Sequence, residues 1–163
     1  NMSVVENVMV GAHRHGKISL VQAGIRWPGT AAEEADISNR ALKLLDLVGL
    51  TAKKDLPAET LPYGEQRLLE IARAMAVEPD LILLDEPAAG LNQSETEQLA
   101  GFISELPSMG MTVLLVEHNM EMVMTVANRI VVLDYGAKIA QGPPETIQRD
   151  TRVINAYLGE EMA

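Results

Sequence analysis

The chain has 163 residues, enough for one domain with a core, and its 47% hydrophobic and 22% charged content is that of a globular protein. No apolar run reaches the roughly 18–20 residues that span a bilayer, and the start lacks the charged-then-apolar layout of a signal peptide. With 13 Lys and Arg against 23 Asp and Glu, the net charge of −10 speaks against nucleic acid and direct membrane insertion. A membrane link should therefore run through a protein partner. The lack of cysteine excludes disulfides and thiolate metal sites and fits the cytosol.

Residues 3–15, with Val4, Val5, Val8, Met9 and Ala12, show helical spacing, although the valines leave a strand open. Residues 16–30, with Gly16, Gly24, Pro28 and Gly29, read as loop. Over 31–48, Ala41, Leu44, Leu45 and Val48 follow the i, i+3, i+4, i+7 pattern, and Gly49 is placed to stop that helix. Residues 51–60 are polar and connecting. A helix over 64–77, closed by Pro79, leads to Leu81–Leu84, whose unbroken apolar run predicts a strand buried on both faces. A helix over 93–106, a buried strand over 112–116 and a helix over 119–127 follow. Residues 129–134 and 137–141 form a hairpin around Tyr135-Gly136, and Pro143-Pro144 opens two short helices ending near Leu158. Alternation of strands and helices implies an α/β sheet, here a helical subdomain followed by an incomplete, mainly parallel sheet.

Two titratable pairs follow the strands, where ligands gather in open α/β sheets: Asp85-Glu86 and Glu117-His118. Magnesium takes one or two carboxylates and fills its octahedron with water and phosphate oxygens, a role suited to Asp85. Glu86 is placed to polarise a water for attack on phosphorus, with His118 orienting the same region. The plain alternative is that strand-end carboxylates are merely solvated. Gly64, at the start of the 64–77 helix, shifts the balance. A helix N-terminus offers unpaired amides and a positive dipole end, and a glycine lets a phosphate approach them closely.

Leu61-Pro62-Tyr63-Gly64-Glu65 resembles the signature sequence of the ABC-type ATPases, and Leu81 to Pro87 resembles their Walker B strand. Ala88-Ala89-Gly90-Leu91-Asn92 resembles the D-loop, and His118 the switch histidine. The resemblance implies a partial P-loop NTPase fold that binds ATP and Mg2+. Asp85 would assist magnesium, Glu86 would be the general base and His118 would contact the γ-phosphate. The segments Leu61–Glu65 and Gly90–Asn92 would meet nucleotide. The signature of one subunit would close over ATP held by its pair, a homodimer or two matched ATPase subunits. Pro62 departs from the usual serine and supplies neither hydroxyl nor N–H, and losing such a cap costs about 1 kcal/mol. Tyr63 and Glu65 replace the more common glycine and glutamine.

Gly11-Ala-His-Arg-His-Gly16-Lys17-Ile18 imitates the phosphate-binding glycine loop, but Ile18 has no hydroxyl for magnesium and no helix pattern follows Lys17. His13 and His15 make a poor metal site. Opening on Asn1-Met2, the chain is expected to begin inside a domain, without the Walker A loop and the Q-loop. Its parts are then a partial helical subdomain (1–60), a core with signature, Walker B, D-loop and switch histidine (61–142), and a helical tail (143–163).

Gly142-Pro143-Pro144-Glu145-Thr146-Ile147 and Val153 to Glu160 resemble the ending of ATP-binding subunits from branched-chain amino acid importers. Lipopolysaccharide-export subunits share a similar tail. Outside transport, an ABC-type module or a non-catalytic interaction domain are further alternatives. The importer resemblance implies permease partners, a peripheral position at the cytoplasmic face of the membrane, and no ATP turnover by this polypeptide alone.

Overall fold

The computed structural model describes residues 2–12 and 30–161. By packing they fall into two units, Asn1–Val116 and Glu117–Ala163. His13, His15, Gly16, Lys17, Ile18 and all of the loop expected over 16–30 except Thr30 lie outside the described residues, and Thr30 is helical.

In the first unit, α1 (Val4–Ala12) buries Val4, Val8 and Ala12, one side chain per turn. The helix α2 (Thr30–Leu47) turns Ile37, Ala41 and Leu45 inward on the same spacing, and Gly49, at φ +71°, takes the left-handed conformation that stops it. The connector is more ordered than its polar composition implies. It holds 3-10 turns at Thr51–Lys53 and Ala58–Thr60, and its carbonyls at Lys54 and Leu56 accept from Val5 and Val4 at 2.9 and 3.0 Å. Helix α3 (Tyr63–Met75) starts one residue before and ends two before the expected bounds. Glu78 at φ +51°, donating to Met75, turns the chain before Pro79 is reached. α1 packs on both α2 and α3, and Leu45, Leu50, Leu68, Leu69 and Ile71 are buried in this unit.

Strands β1 (Leu81–Asp85) and β2 (Thr112–Val116) pair in parallel through α4 (Gln93–Glu105) and a 3-10 turn at Leu106–Met109. Burial of β1 on both faces and burial of β2 are the expectations that fail. Ile82 is buried, but Leu81, Leu83, Leu114 and Val116 are 50–67% exposed. Because the register sets Leu83 beside Leu114 and Asp85 beside Val116, these side chains share one open face. The apolar run of β1 is continuous in sequence while only one of its faces has a covering layer among the described residues.

The second unit contains α5 (Met120–Val126) and the antiparallel hairpin β3 (Ile130–Asp134) and β4 (Ala137–Gly142), with a register shift between Val132 and Leu133. Tyr135 and Gly136 make its turn, both at positive φ. Helices α6 (Pro144–Ile147) and α7 (Thr151–Glu161) complete it. Ile130, Ala140, Ile147 and Val153 form its core, against which Val123, Met124 and Ile139 pack.

Candidate nucleotide site

Asp85 closes β1 and, by alternation, points to the open face together with Leu81 and Leu83. The next residue leaves the sheet. The Glu86 amide donates to the Val116 carbonyl at 2.9 Å, and its φ of +44° places a non-glycine residue in the left-handed region. Such a conformation costs of order 1–3 kcal/mol and persists only where neighbouring structure imposes it. Here the neighbour on one side is the strand pair, and on the other a tight turn in which Ala89 donates to Glu86 and Leu91 to Ala88. Gly90, at φ +80°, releases the chain into α4. Asn92 caps α4: its side chain accepts from the Glu95 amide at 3.0 Å, and Glu95 Oε2 accepts from the Asn92 amide at 3.0 Å.

The other half of the site is the first turn of α3. Pro62 stands at its N-cap with no side-chain cap, as its chemistry dictates, and its carbonyl accepts the first helical bond from Gln66. The amides of Tyr63, Gly64 and Glu65 thus have no partner within the helix. Leu61 is buried, and its carbonyl is satisfied by the Gln66 side chain at 2.8 Å. The Arg67 guanidinium lies 4.8 Å from the centroid of the Tyr63 ring, hydrogen-bonds the Tyr63 hydroxyl and pairs with Glu70 at 2.8 Å. The Glu70 hydrogen bond raises the Arg67 pKa further above its ordinary value, so the charge is permanent. Glu65 is held by Lys53, whose Nζ lies 2.6 Å from both carboxylate oxygens.

The two halves meet. A Cβ on Gly64 would lie 2.9 Å from Glu95 Oε1, and a Cβ on Gly90 would lie 3.2 Å from the Tyr63 ring. Tyr63, Gly64, Gly90 and Asn92, four residues singled out by sequence, therefore converge through the Tyr63 ring and the Glu95 carboxylate. Sequence reasoning gives Gly64 one purpose, room for a phosphate. In the structure the point a Cβ would occupy on Gly64 lies against the Glu95 carboxylate. Lys53, Arg67 and Glu95 are not in the sequence-derived set. Glu95 has a local signal in the Asn92-x-x-Glu95 spacing of a capping box, and Arg67 in its i, i+3 and i, i+4 spacing to Glu70 and Tyr63, whereas Lys53 has none.

His118 belongs to the second unit and is exposed. Its amide and that of Asn119 both donate to Glu117 Oε2, at 3.0 and 3.2 Å, so the Glu117 carboxylate folds back on the backbone. Asn119 in turn caps α5 by accepting from Met122 at 3.0 Å.

Among the described residues no three His, Cys, Asp or Glu side chains converge as a metal cage. Magnesium does not need one: an exposed strand-end carboxylate such as Asp85, completed by water and phosphate oxygens, fits its preference. The uncapped turn of α3 likewise suits a phosphate chain. Among the described residues no helix is long and apolar enough to cross a membrane.

Residues 2–89 match the ABC transporter family, and residues 137–163 match the branched-chain amino acid ATP-binding cassette transporter family. The chain is 41% identical over 160 residues to the high-affinity branched-chain amino acid transport ATP-binding protein LivG of Escherichia coli, covering 98% of this chain and 63% of that protein. It is 44% identical, over the same shares, to BraF of Pseudomonas aeruginosa, a high-affinity branched-chain amino acid transport ATP-binding protein. The fold is similar to the ADP conformation of MJ1267, an ATP-binding cassette of an ABC transporter, with a TM-score of 0.79 and 29% identity. That match covers 97% of this chain and 63% of MJ1267. The chain thus spans under two thirds of the length of the relatives it matches.

Proposed function

Since the chain belongs to the ABC transporter family, we propose that it serves as an ATP-binding subunit of a branched-chain amino acid importer. The match over residues 2–89, which takes in the α3 turn and the Asp85-Glu86 strand end, carries this reading. The match over residues 137–163 and the names of the relatives favour import of branched-chain amino acids over lipopolysaccharide export.

Tyr63, Gly64 and Glu65 present backbone amides to the terminal phosphates of an ATP held by a paired subunit, with Leu61 and Pro62 fixing the entry to the turn. Gly90, Leu91 and Asn92 line the same junction. Asp85 would hold Mg2+ through its carboxylate or a water, and the bound ion would supply positive charge to the phosphates. Glu86 accepts the proton of the attacking water, and His118 hydrogen-bonds the γ-phosphate. Permease subunits anchor the assembly at the cytoplasmic face of the membrane. The 163 residues alone do not turn ATP over, because they hold no glycine-loop lysine.

The test mixes this chain with a complete ATP-binding subunit of the family whose own catalytic carboxylate has been removed, so that ATP stays bound. MgATP should drive association measured by fluorescence anisotropy, and MgADP should not. Association indifferent to nucleotide, together with no co-purification with branched-chain amino acid permease subunits, would refute the reading.

A further inference from the structure

Resting on that function, we propose that Lys53 is the counter-charge that makes an acidic signature turn compatible with phosphate. The first turn of α3 carries Glu65, a negative charge on the same turn as the amides of Tyr63, Gly64 and Glu65. A carboxylate there interacts well with the helix dipole but repels a phosphate chain arriving at those amides. Lys53 removes the conflict. Its Nζ bonds both Glu65 oxygens at 2.6 Å, and the two side chains keep only 39% and 30% of their surface, so solvent screens the pair incompletely.

The position of Lys53 is set by the fold rather than by Glu65. Its amide donates to Leu50 at 2.9 Å in the 3-10 turn Thr51–Lys53, and the next carbonyl, Lys54, accepts from Val5 of α1 at 2.9 Å. Of the other charges near the turn, Arg67 pairs with Glu70 and the Tyr63 hydroxyl, while the Glu95 carboxylate accepts from the Asn92 amide and keeps its charge beside Gly64, so Lys53 compensates Glu65 specifically. Lys53 is a positioning residue in this scheme. It touches no ligand, holds the Glu65 carboxylate, and sets the net charge that an incoming phosphate meets.

A pair that served only to staple the connector to α3 would make Lys53→Gln and Glu65→Gln harmful in the same direction. Charge compensation makes them opposite in sign. The probe is inorganic triphosphate, titrated at constant ionic strength against the chain and its variants. The readout is hydrogen–deuterium exchange of peptides covering residues 61–69, whose first-turn amides exchange fast unless a ligand accepts from them. One unit of charge at such range changes the midpoint concentration for protection about three- to tenfold. The midpoint should rise by that factor in Lys53→Gln, fall in Glu65→Gln, and return to within about twofold of the parent in the double variant.

Both single variants moving the same way, or neither moving, would overturn the inference while leaving nucleotide-driven pairing intact. No protection in any of the four chains would also overturn it. If MgATP fails to drive pairing of the parent, the function fails instead, and opposite shifts with triphosphate would still uphold the role of Lys53.

Discussion

Gly64 and Glu95 compete for the same space. A Cβ on Gly64 would lie 2.9 Å from Glu95 Oε1 and 3.0 Å from its Cγ and Cδ, while Glu95 Oε2 accepts from the Asn92 amide. In Gly64→Ala the flexible Glu95 side chain must swing away and release that bond. The expected loss is about 1 kcal/mol, typical of a helix cap, with faster exchange of the Asn92 amide. Glu95→Ala should cost a similar amount on its own. Adding Gly64→Ala to Glu95→Ala should then cost almost nothing, because the overlap is gone. Urea denaturation of the four chains measures this; strict additivity would refute the coupling.

Gly11 sets the separation of α1 and α3. A Cβ there would lie 2.2 Å from the Arg73 carbonyl oxygen, a backbone atom that cannot move aside without shifting α3. Alanine gains up to about 1 kcal/mol over glycine in helix propensity, but overpacking at a backbone contact costs typically about 1–3 kcal/mol, so destabilisation should win. Gly101, within α4, has open space for 4 Å around the point a Cβ would occupy, and its φ is not positive. Gly101→Ala should therefore raise stability by up to about 1 kcal/mol, and the opposed shifts in Tm of the two variants check the packing.

Glu86 joins a strained backbone to a candidate catalytic side chain. At φ +44° a glycine is relaxed, so Glu86→Gly should be more stable than Glu86→Ala by about 1 kcal/mol, both variants lacking the carboxylate. Equal denaturation midpoints for the two variants would mean that the conformation carries no strain.

Much of this architecture is legible in the residues themselves. The helices α1, α2 and α3 follow from apolar spacing, Gly49 marks a stop, and Tyr135-Gly136 marks the hairpin turn, because each depends on neighbours in sequence. The exposure of Leu81, Leu83, Leu114 and Val116 is not legible, since a continuous apolar run looks the same with one face covered or two. The Lys53–Glu65 pair and the Gly64–Glu95 contact join residues 12 and 31 positions apart, set by how the connector and α4 meet the turn of α3. Glu86 is chosen by sequence for its carboxylate, while its left-handed backbone is imposed by the turn that follows. The site residues recognised from sequence are those whose pattern is local, and their supports are the ones that only packing reveals.

Acid should loosen the start of α7 and the start of α1. Asp150 bonds the Arg152 guanidinium and accepts from its amide at 2.9 Å, and the Arg152 side chain is the first cause of its lowered pKa. The Ser3 amide, donating to Glu6 at 2.7 Å, lowers the Glu6 pKa in the same way. A carboxyl whose pKa is lowered by folding stabilises the fold above its unfolded pKa, and that contribution disappears as pH falls through the lowered folded value. Amide exchange at Arg152 and Ser3 should hence be protected at neutral pH and accelerate, relative to intrinsic rates, only below the ordinary carboxylate range. Asp150→Asn should remove the pH dependence at Arg152 and leave that at Ser3.

The open face of β1 and β2 carries Leu81, Leu83, Leu114 and Val116 side by side, with Asp85 as the acid among them. Apolar side chains grouped in this way favour association, and each one removed from water contributes about 25 cal/mol per Å2 of buried area. The polypeptide of 163 residues should accordingly show a mass in light scattering that rises with concentration. Leu83→Lys sets a charge at the centre of the face, where Leu83 is 67% exposed and makes little contribution to the core. Its own stability cost should be within about 0.5 kcal/mol, as for other exposed sites, while association should weaken at least tenfold. Val10→Lys, a control at an exposed position of α1 with 53% exposure, should leave association unchanged. Equal effects of the two lysines would trace association to net charge rather than to the sheet, and a monomer at all concentrations would contradict the role of this face altogether.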